Sequence, residues 1–330
     1  MAGSRARLVS ENRSAPRLTV GLPVYNGERH LRECLDSVLG QSYEDFELII
    51  SDNASSDGTA DICREYEKMD SRVVYVRQPV NMGRVPNHNF LITEASGALF
   101  KWVAADDLYA RDLLKRSIEV LDERPEVVLV HSRSAMLDDG GAVTEFVKYP
   151  VDSESARAPD RFHSMLFDGW GDDSYGVIRT DVLRRTPLHG SYHYADRTFS
   201  IELALHGPFY QVPEWLFFRR EAPDRVRTVR VRCAYLDPRR ADRIRHPVAR
   251  LYGEYLFAYV AMLQRAPLSD AERRECYGHL ARWALNRCGP VARRIVRRES
   301  LRLPADRSTW AAPPEIVIQN LVVGQDRRTS

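Results

Sequence analysis

With 330 residues, 44% of them hydrophobic and 28% charged, the chain can bury a substantial core and has the make-up of a soluble globular protein. Its formal net charge of +2 conceals a split: residues 1–223 carry 26 Lys/Arg against 35 Asp/Glu, whereas residues 224–307 carry 20 Arg against nine acids, which predicts two regions with different partners. Five scattered cysteines without a CxxC pair argue against a disulfide framework or a zinc site, and no stretch is long and apolar enough to cross a bilayer.

In chain order, "MAGSRARLVSENRSAPR" lacks the apolar run of a secretory signal, so residues 1–16 read as a flexible leader to a protein of the reducing cytoplasm. "RLTVGLP" (17–23) predicts a buried strand, followed by Leu31, Leu35, Val38 and Leu39 at helical spacing. "FELIIS" (46–51) is a second strand, and "DNASSDGT" a turn that can cap the helix carrying Ile62, Tyr66 and Met69. "RVVYVR" (72–77) is a third strand, and "NMGRVPN" places Pro86 near the first turn of a helix, where proline is tolerated. "GALFKWVA" (97–104) and "EVVLVHS" (126–132) are the fourth and fifth, separated by a helix with Leu114, Ile118 and Leu121. Then "MLDDGGAVTEFVKY" predicts a hairpin, "YADRTFSIELALHG" opens a helix, and "FYQVPEWLFFRRE" supplies short strands. From about Tyr235 to Arg302 the pattern is helical and Arg-rich, and the last residues read as a tail.

Strands apolar on both faces, alternating with amphipathic helices, predict a mainly parallel α/β sheet covered on both sides. Such sheets bind ligands at the carboxyl ends of their strands. Pro23–Asn26, Asp52–Asp57, Arg77–Arg84 and Ala104–Asp107 all fall there. The adjacent acids Asp106 and Asp107 close the fourth strand, where two buried carboxylates tolerate each other only with positive charge nearby. A solvated strand end with Asp107 capping the next helix is the competing account.

The run "VGLPVYNGERHLRECLDSVLGQSYEDFELIISDNASSDGT", followed by "NMGRVPNHNFLITEASGALFKWVAADD", resembles the family 2 glycosyltransferases, over roughly two-thirds of the chain. The resemblance implies a GT-A fold, a Rossmann-like mixed sheet with helices on both faces. It also implies transfer of a sugar from a nucleotide diphosphate donor to an acceptor hydroxyl. Mg²⁺ or Mn²⁺ suits oxygen ligands and a departing diphosphate, with Asp106 as the ligand and Asp107 sharing or supporting it. The family often has D-x-D-D at this strand end, and Ala104 stands at the first acidic position.

By the same resemblance Asp52 accepts a hydrogen bond from the base, which favours a uracil or thymine donor, UDP- or dTDP-linked. Pro23, Val24 and Tyr25 wall the base, and Glu28, Asn53, Arg84 and Ala105 complete the nucleotide-sugar site. Asp196, opening the "YADRTFSIELALHG" helix, is the expected base of an inverting transfer, with Ala195 in place of a common glutamate. Trp170, Asp172, Asp173 and His193 are the acceptor-side candidates, and Arg219 or Arg220 lies where a basic residue often faces the diphosphate.

The expected organisation is a GT-A domain over 17–224 (nucleotide-binding 17–132, acceptor-binding 133–224), a basic helical region over 225–307 and a tail over 308–330. The basic helices pack on the catalytic domain or a second copy in a homodimer, or dock peripherally on anionic lipid at the inner face of a membrane beside a lipid-linked, glycan or small-molecule acceptor. Nothing points to nucleic acid. Arg-rich, Lys-poor composition suggests a bacterial chain acting in envelope polysaccharide or natural-product glycosylation. A nucleotidyltransferase would open on a glycine-rich basic loop, which "GLPVYNGE" lacks. A sugar-nucleotide-binding protein that has lost turnover, with Ala104 and Ala195 as its traces, is the alternative.

Overall fold

A computed structural model describes residues 15–168, 172–192, 195–220, 247–296 and 309–310. Its sheet is built on β1 (Leu18–Val24), β2 (Phe46–Asp52), β3 (Val73–Arg77) and β4 (Leu99–Trp102), all parallel, in the order β4-β1-β2-β3. The next strand, β5 (Leu108–Tyr109), is two residues long and leaves this plane. Beyond β4 the sheet continues through β8 (Val177–Arg179), antiparallel, to β6 (Leu129–Leu137) and β7 (Val143–Val147). A long β9 (Phe209–Arg220) pairs with β6 in parallel and with β5 antiparallel, and the backbone of β10 (Thr309–Trp310) extends β7.

Two differences from the sequence expectation have local causes. The fifth expected strand begins at Leu129 rather than 126, because Val127 N–H still closes a turn onto the Arg124 carbonyl. "FYQVPEWLFFRR" is one strand, not several. Its pairing with β6 shifts register opposite Arg133, where Pro213, which has no N–H, and Glu214 are passed over. The expected hairpin is present as β6–β7, turned through Gly141 at φ +87°, a conformation in which a glycine meets no steric cost.

Each face of the sheet carries its own apolar cluster. On one face lie α1 (Leu31–Leu39), α2 (Thr59–Met69) and α4 (Leu113–Glu123), which bury Leu35, Ile62 and Ile118 at 0, 6 and 4% exposure. The other face takes α3 (Arg84–Glu94), α5 (Ala158–Asp168), α6 (Thr180–Leu183) and α7 (Ala195–His206). The Arg-rich helices α8 (Pro247–Arg265) and α9 (Asp270–Val296) join this second cluster through Tyr259, Met262, Leu280 and Trp283. Ion pairs Arg265–Glu202 (2.9 Å) and Arg157–Glu275 (2.7 Å) flank the contact. Among the described residues no helix is long and apolar enough to cross a membrane.

The second cluster also encloses histidines. His189 packs against Trp102, Phe199 and His88, and burial pushes its imidazole down to about 3; His131 is pushed down to about 4 by the same cause. An unfolded chain protonates these groups near pH 6.5, whereas the folded one keeps them neutral well below that. Between those values the unfolded state binds more protons, so stability falls as pH drops from about 6.5 toward 4. At pH 4.5 each is expected to cost on the order of 2 kcal/mol, read as a lower urea midpoint than at pH 7. His189→Phe should flatten that dependence, and an unchanged slope would rule His189 out as its source.

Candidate active site

The carboxyl ends of β1, β2 and β4 lie side by side, and the loops after β1 and β2 are bolted to each other. Asn26 N–H donates to Ser55 Oγ (2.9 Å), Gly27 N–H to Thr59 Oγ1 (2.9 Å), and Ser56 N–H to Asn26 Oδ1 (2.8 Å). Glu28 closes the join reciprocally: its carboxylate accepts Gly58 N–H at 2.8 Å while its own N–H donates to Asp57 at 3.1 Å. A Cβ at Gly58 would lie 2.6 Å from that carboxylate, so a larger residue there would displace the Glu28 side chain. Asn26 (φ +51°) and Ala54 (φ +61°) hold left-handed backbone at the two loop corners, and such strain concentrates at functional sites. Tyr25 is 44% exposed above the loop, Pro23 is half-buried, and Val24 lies beneath, near Gly27 and Ala105.

Asp52 reaches the expected strand end but has no exposed surface. Its carboxylate accepts Ser55 N–H (2.8 Å), the Tyr75 hydroxyl (2.8 Å) and the Arg77 guanidinium (3.2 Å). The direct contact with a nucleobase expected from sequence therefore gives way to a supporting role: Asp52 shapes the "DNASSDGT" turn. Asn53, also buried, accepts Met82 N–H (2.9 Å) and donates to Asn81 (2.9 Å), which ties that turn to the loop before α3.

The two adjacent acids are treated differently. Asp107 is 6% exposed and accepts the backbone N–H of Arg220 at 2.9 Å, so it anchors the turn to the end of β9 rather than sharing a ligand position. Asp106 is half-buried, and among the described residues its carboxylate has no hydrogen-bond or ion-pair partner. The turn's backbone is fixed on every side: Ala104 N–H donates to Tyr109 Oη (2.8 Å), Ala104 O accepts Cys34 Sγ–H (3.1 Å), and Asp106 O accepts Arg220 Nε–H (3.1 Å). Burial and then the two acids hold the Cys34 thiol well above its ordinary range, so it remains a proton donor.

No group of three or more His, Cys, Asp or Glu among the described residues forms a metal cage. One unpaired carboxylate at a strand end fits a different arrangement, in which Mg²⁺ or Mn²⁺ shares a single protein oxygen with substrate phosphates and water.

Arg219 and Arg220, adjacent on β9, point to opposite faces. Arg220, whose side chain is 4% exposed, donates to Glu33 (2.6 Å) and to the carbonyls of Asp139 (2.8 Å) and Asp138 (3.3 Å). It is a structural hub. Tyr175, in the short 3₁₀ turn Asp172–Tyr175, is a residue that sequence reasoning passed over. Burial raises the Tyr175 phenol; Arg84 and Arg219 oppose that, while Asp107 and Asp196 add to it. Arg84 Nη2 donates to the Tyr175 hydroxyl at 3.1 Å. That bond joins the first turn of α3 to the 3₁₀ turn on the acceptor side.

On the acceptor side Asp196 stands half-buried in the first turn of α7, its Oδ1 accepting Arg197 N–H at 3.0 Å. Asp173 is 2% exposed and accepts hydroxyls from Ser200 (2.8 Å) and Tyr149 (3.2 Å), so it fastens the 3₁₀ turn to α7 instead of offering itself to acceptor hydroxyls. Asp172 is described in its backbone only, and Trp170 and His193 lie outside the described residues.

The same fold recurs in solved structures. Staphylococcus aureus TarS 1–349, crystallised with UDP-GlcNAc, superposes at a TM-score of 0.61 over 82% of this chain and 73% of that one; at 16% identity this shows a common fold. Residues 19–163 match the sequence profile of glycosyl transferase family 2. TuaG of Bacillus subtilis (strain 168), a glycosyltransferase named for teichuronic acid biosynthesis, is 33% identical over 135 residues, 41% of this chain and 54% of TuaG. The glycosyltransferase GlyA of Streptococcus pneumoniae serotype 4 is 36% identical over 107 residues, 31% of this chain and 15% of GlyA. The chain thus spans about half of TuaG and a smaller part of GlyA.

Proposed function

We propose that the chain is an inverting glycosyltransferase that takes a UDP- or dTDP-sugar in the crevice of β1, β2 and β4 and passes the sugar to an acceptor hydroxyl. The observation that carries this reading is the hydrogen bond from Arg84 to the Tyr175 hydroxyl (3.1 Å), which joins the nucleotide half to the acceptor half beside the half-buried Asp106 carboxylate, unpaired among the described residues. Tyr25 and Val24 offer the base a wall, and Asp52 and Asn53 hold the turns that shape it. Arg84 and Arg219 supply positive charge toward the diphosphate. Asp196 takes the acceptor's proton as its oxygen attacks the anomeric carbon. When bound at Asp106, Mg²⁺ or Mn²⁺ lends positive charge to the leaving diphosphate. TarS binding UDP-GlcNAc supports the uridine preference.

Residues 17–224 form the catalytic domain in this reading, and α8 and α9 of the basic region pack on its acceptor half, with Arg274, Arg282 and Arg287 exposed toward an anionic membrane beside a glycan or lipid-linked acceptor. A thermal-shift panel tests the donor site. UDP with Mn²⁺ at about 100 times its dissociation constant should stabilise the fold by about 2.7 kcal/mol. Asp106→Asn should remove the Mn²⁺-dependent part and leave the rest. Failure of every nucleoside diphosphate to shift the melting temperature would end this reading. Ala104 and Ala195, where the family favours acids, support a second reading as a donor-binding protein without turnover. Release of free sugar from UDP-sugars, or its absence despite tight binding, separates the two.

A further inference from the structure

Lys101 lies in the middle of β4, 1% exposed, and no part of the reading above uses it. Its register neighbours across the sheet are Val20 on β1 and Val177 on β8, and the row continues to Leu48 and Val130. A valine would complete that row, whereas burying an ammonium costs several kcal/mol unless it is compensated. The compensation is unusual. Lys101 Nζ donates to the backbone carbonyl of Tyr175, and it lies 5.1 Å from the ring centre of Tyr109 and 5.7 Å from that of Phe217. No carboxylate among the described residues comes within ion-pair distance, and Asp107 is the acid whose charge it feels. Tyr175 packs against the apolar clusters of both sheet faces, at the seam left beyond the short β8.

We propose that Lys101 is a positioning residue for the donor's diphosphate: by holding the Tyr175 carbonyl it fixes the 3₁₀ turn so that the Tyr175 hydroxyl receives the Arg84 guanidinium, which sets that cation at the crevice. The chain of contact runs ammonium, carbonyl, phenol, guanidinium, and it joins the centre of the sheet to the first turn of α3. The inference rests on the donor reading and adds to it a specific claim, that phosphate recognition depends on a residue that never touches phosphate.

The test compares UDP with uridine, which has the base and ribose but no phosphate, by calorimetry on the full chain. Lys101→Met and Tyr175→Phe should each weaken UDP about tenfold and leave uridine within twofold. The double variant should be no weaker than the poorer single one, because both break one link. Lys101→Gln, which retains an N–H for the carbonyl, should recover most of the loss and stands in if Lys101→Met does not fold. Equal weakening of UDP and uridine, additive losses, or unchanged UDP binding in a folded Lys101 variant would overturn the positioning role and leave the donor reading standing. A wild-type chain that binds neither compound would remove both.

Discussion

Asp196→Asn is expected to lower sugar transfer by about 10²- to 10⁴-fold while UDP affinity stays within twofold. Asparagine keeps an oxygen at the Oδ1 position, so the bond from Arg197 N–H and the start of α7 survive. What it loses is the capacity to accept a proton, and a hydroxyl nucleophile must shed one as it attacks. The helix N-terminus favours a negative charge at this place, so the carboxylate is stabilised in its working form. Because the donor-side groups come from other segments, binding and turnover should part cleanly. The measurements are transfer with a hydroxyl-bearing acceptor and UDP titration on the same preparation. Full transfer by the variant would dismiss Asp196 as the base, and a parallel loss of UDP binding would show that it shapes the site instead.

Much of the donor half was legible because parallel strands buried on both faces read as near-continuous apolar runs, and their loops carry turn residues in a fixed order. β1 to β4 and the three helices between them follow the sequence expectation closely. Carboxylate roles were harder to read. Asp52 and Asp173 occupy motif positions, yet their partners, Tyr75 and Arg77 for one and Ser200 and Tyr149 for the other, come from elements that only the folded register brings near. Asp106 and Asp107 are indistinguishable as letters; the end of β9 turns one of them inward. Lys101 had a visible signal, a lone ammonium inside "LFKWV", but its meaning depended on Tyr175, far along the chain. Tyr175 itself had none, since nothing in "GWGDDSYG" distinguishes a tyrosine that meets Arg84 from one that simply packs.

The neighbouring arginines of β9 offer the sharpest test of this division of labour. Arg220→Met is expected to lower the unfolding free energy by about 3 kcal/mol, with the loss of UDP binding following from a loosened Asp106–Asp107 turn. The Arg220 guanidinium serves the carbonyls of Asp106, Asp138 and Asp139, and methionine would leave all three without it. Its ion pair with Glu33 adds little, because that acid is 58% exposed and solvent screens the attraction. The backbone N–H that holds Asp107 would remain, but the strand end carrying it would lose its side-chain moorings. Arg219→Met should show the opposite pattern: stability changed by less than about 1 kcal/mol, and UDP weakened about tenfold while uridine is unaffected. Urea denaturation and UDP titration on both variants give four numbers that must cross. If the two arginines instead lost stability equally, the alternation of faces along β9 would not be what sorts their roles, and Arg219 would have no claim on the diphosphate.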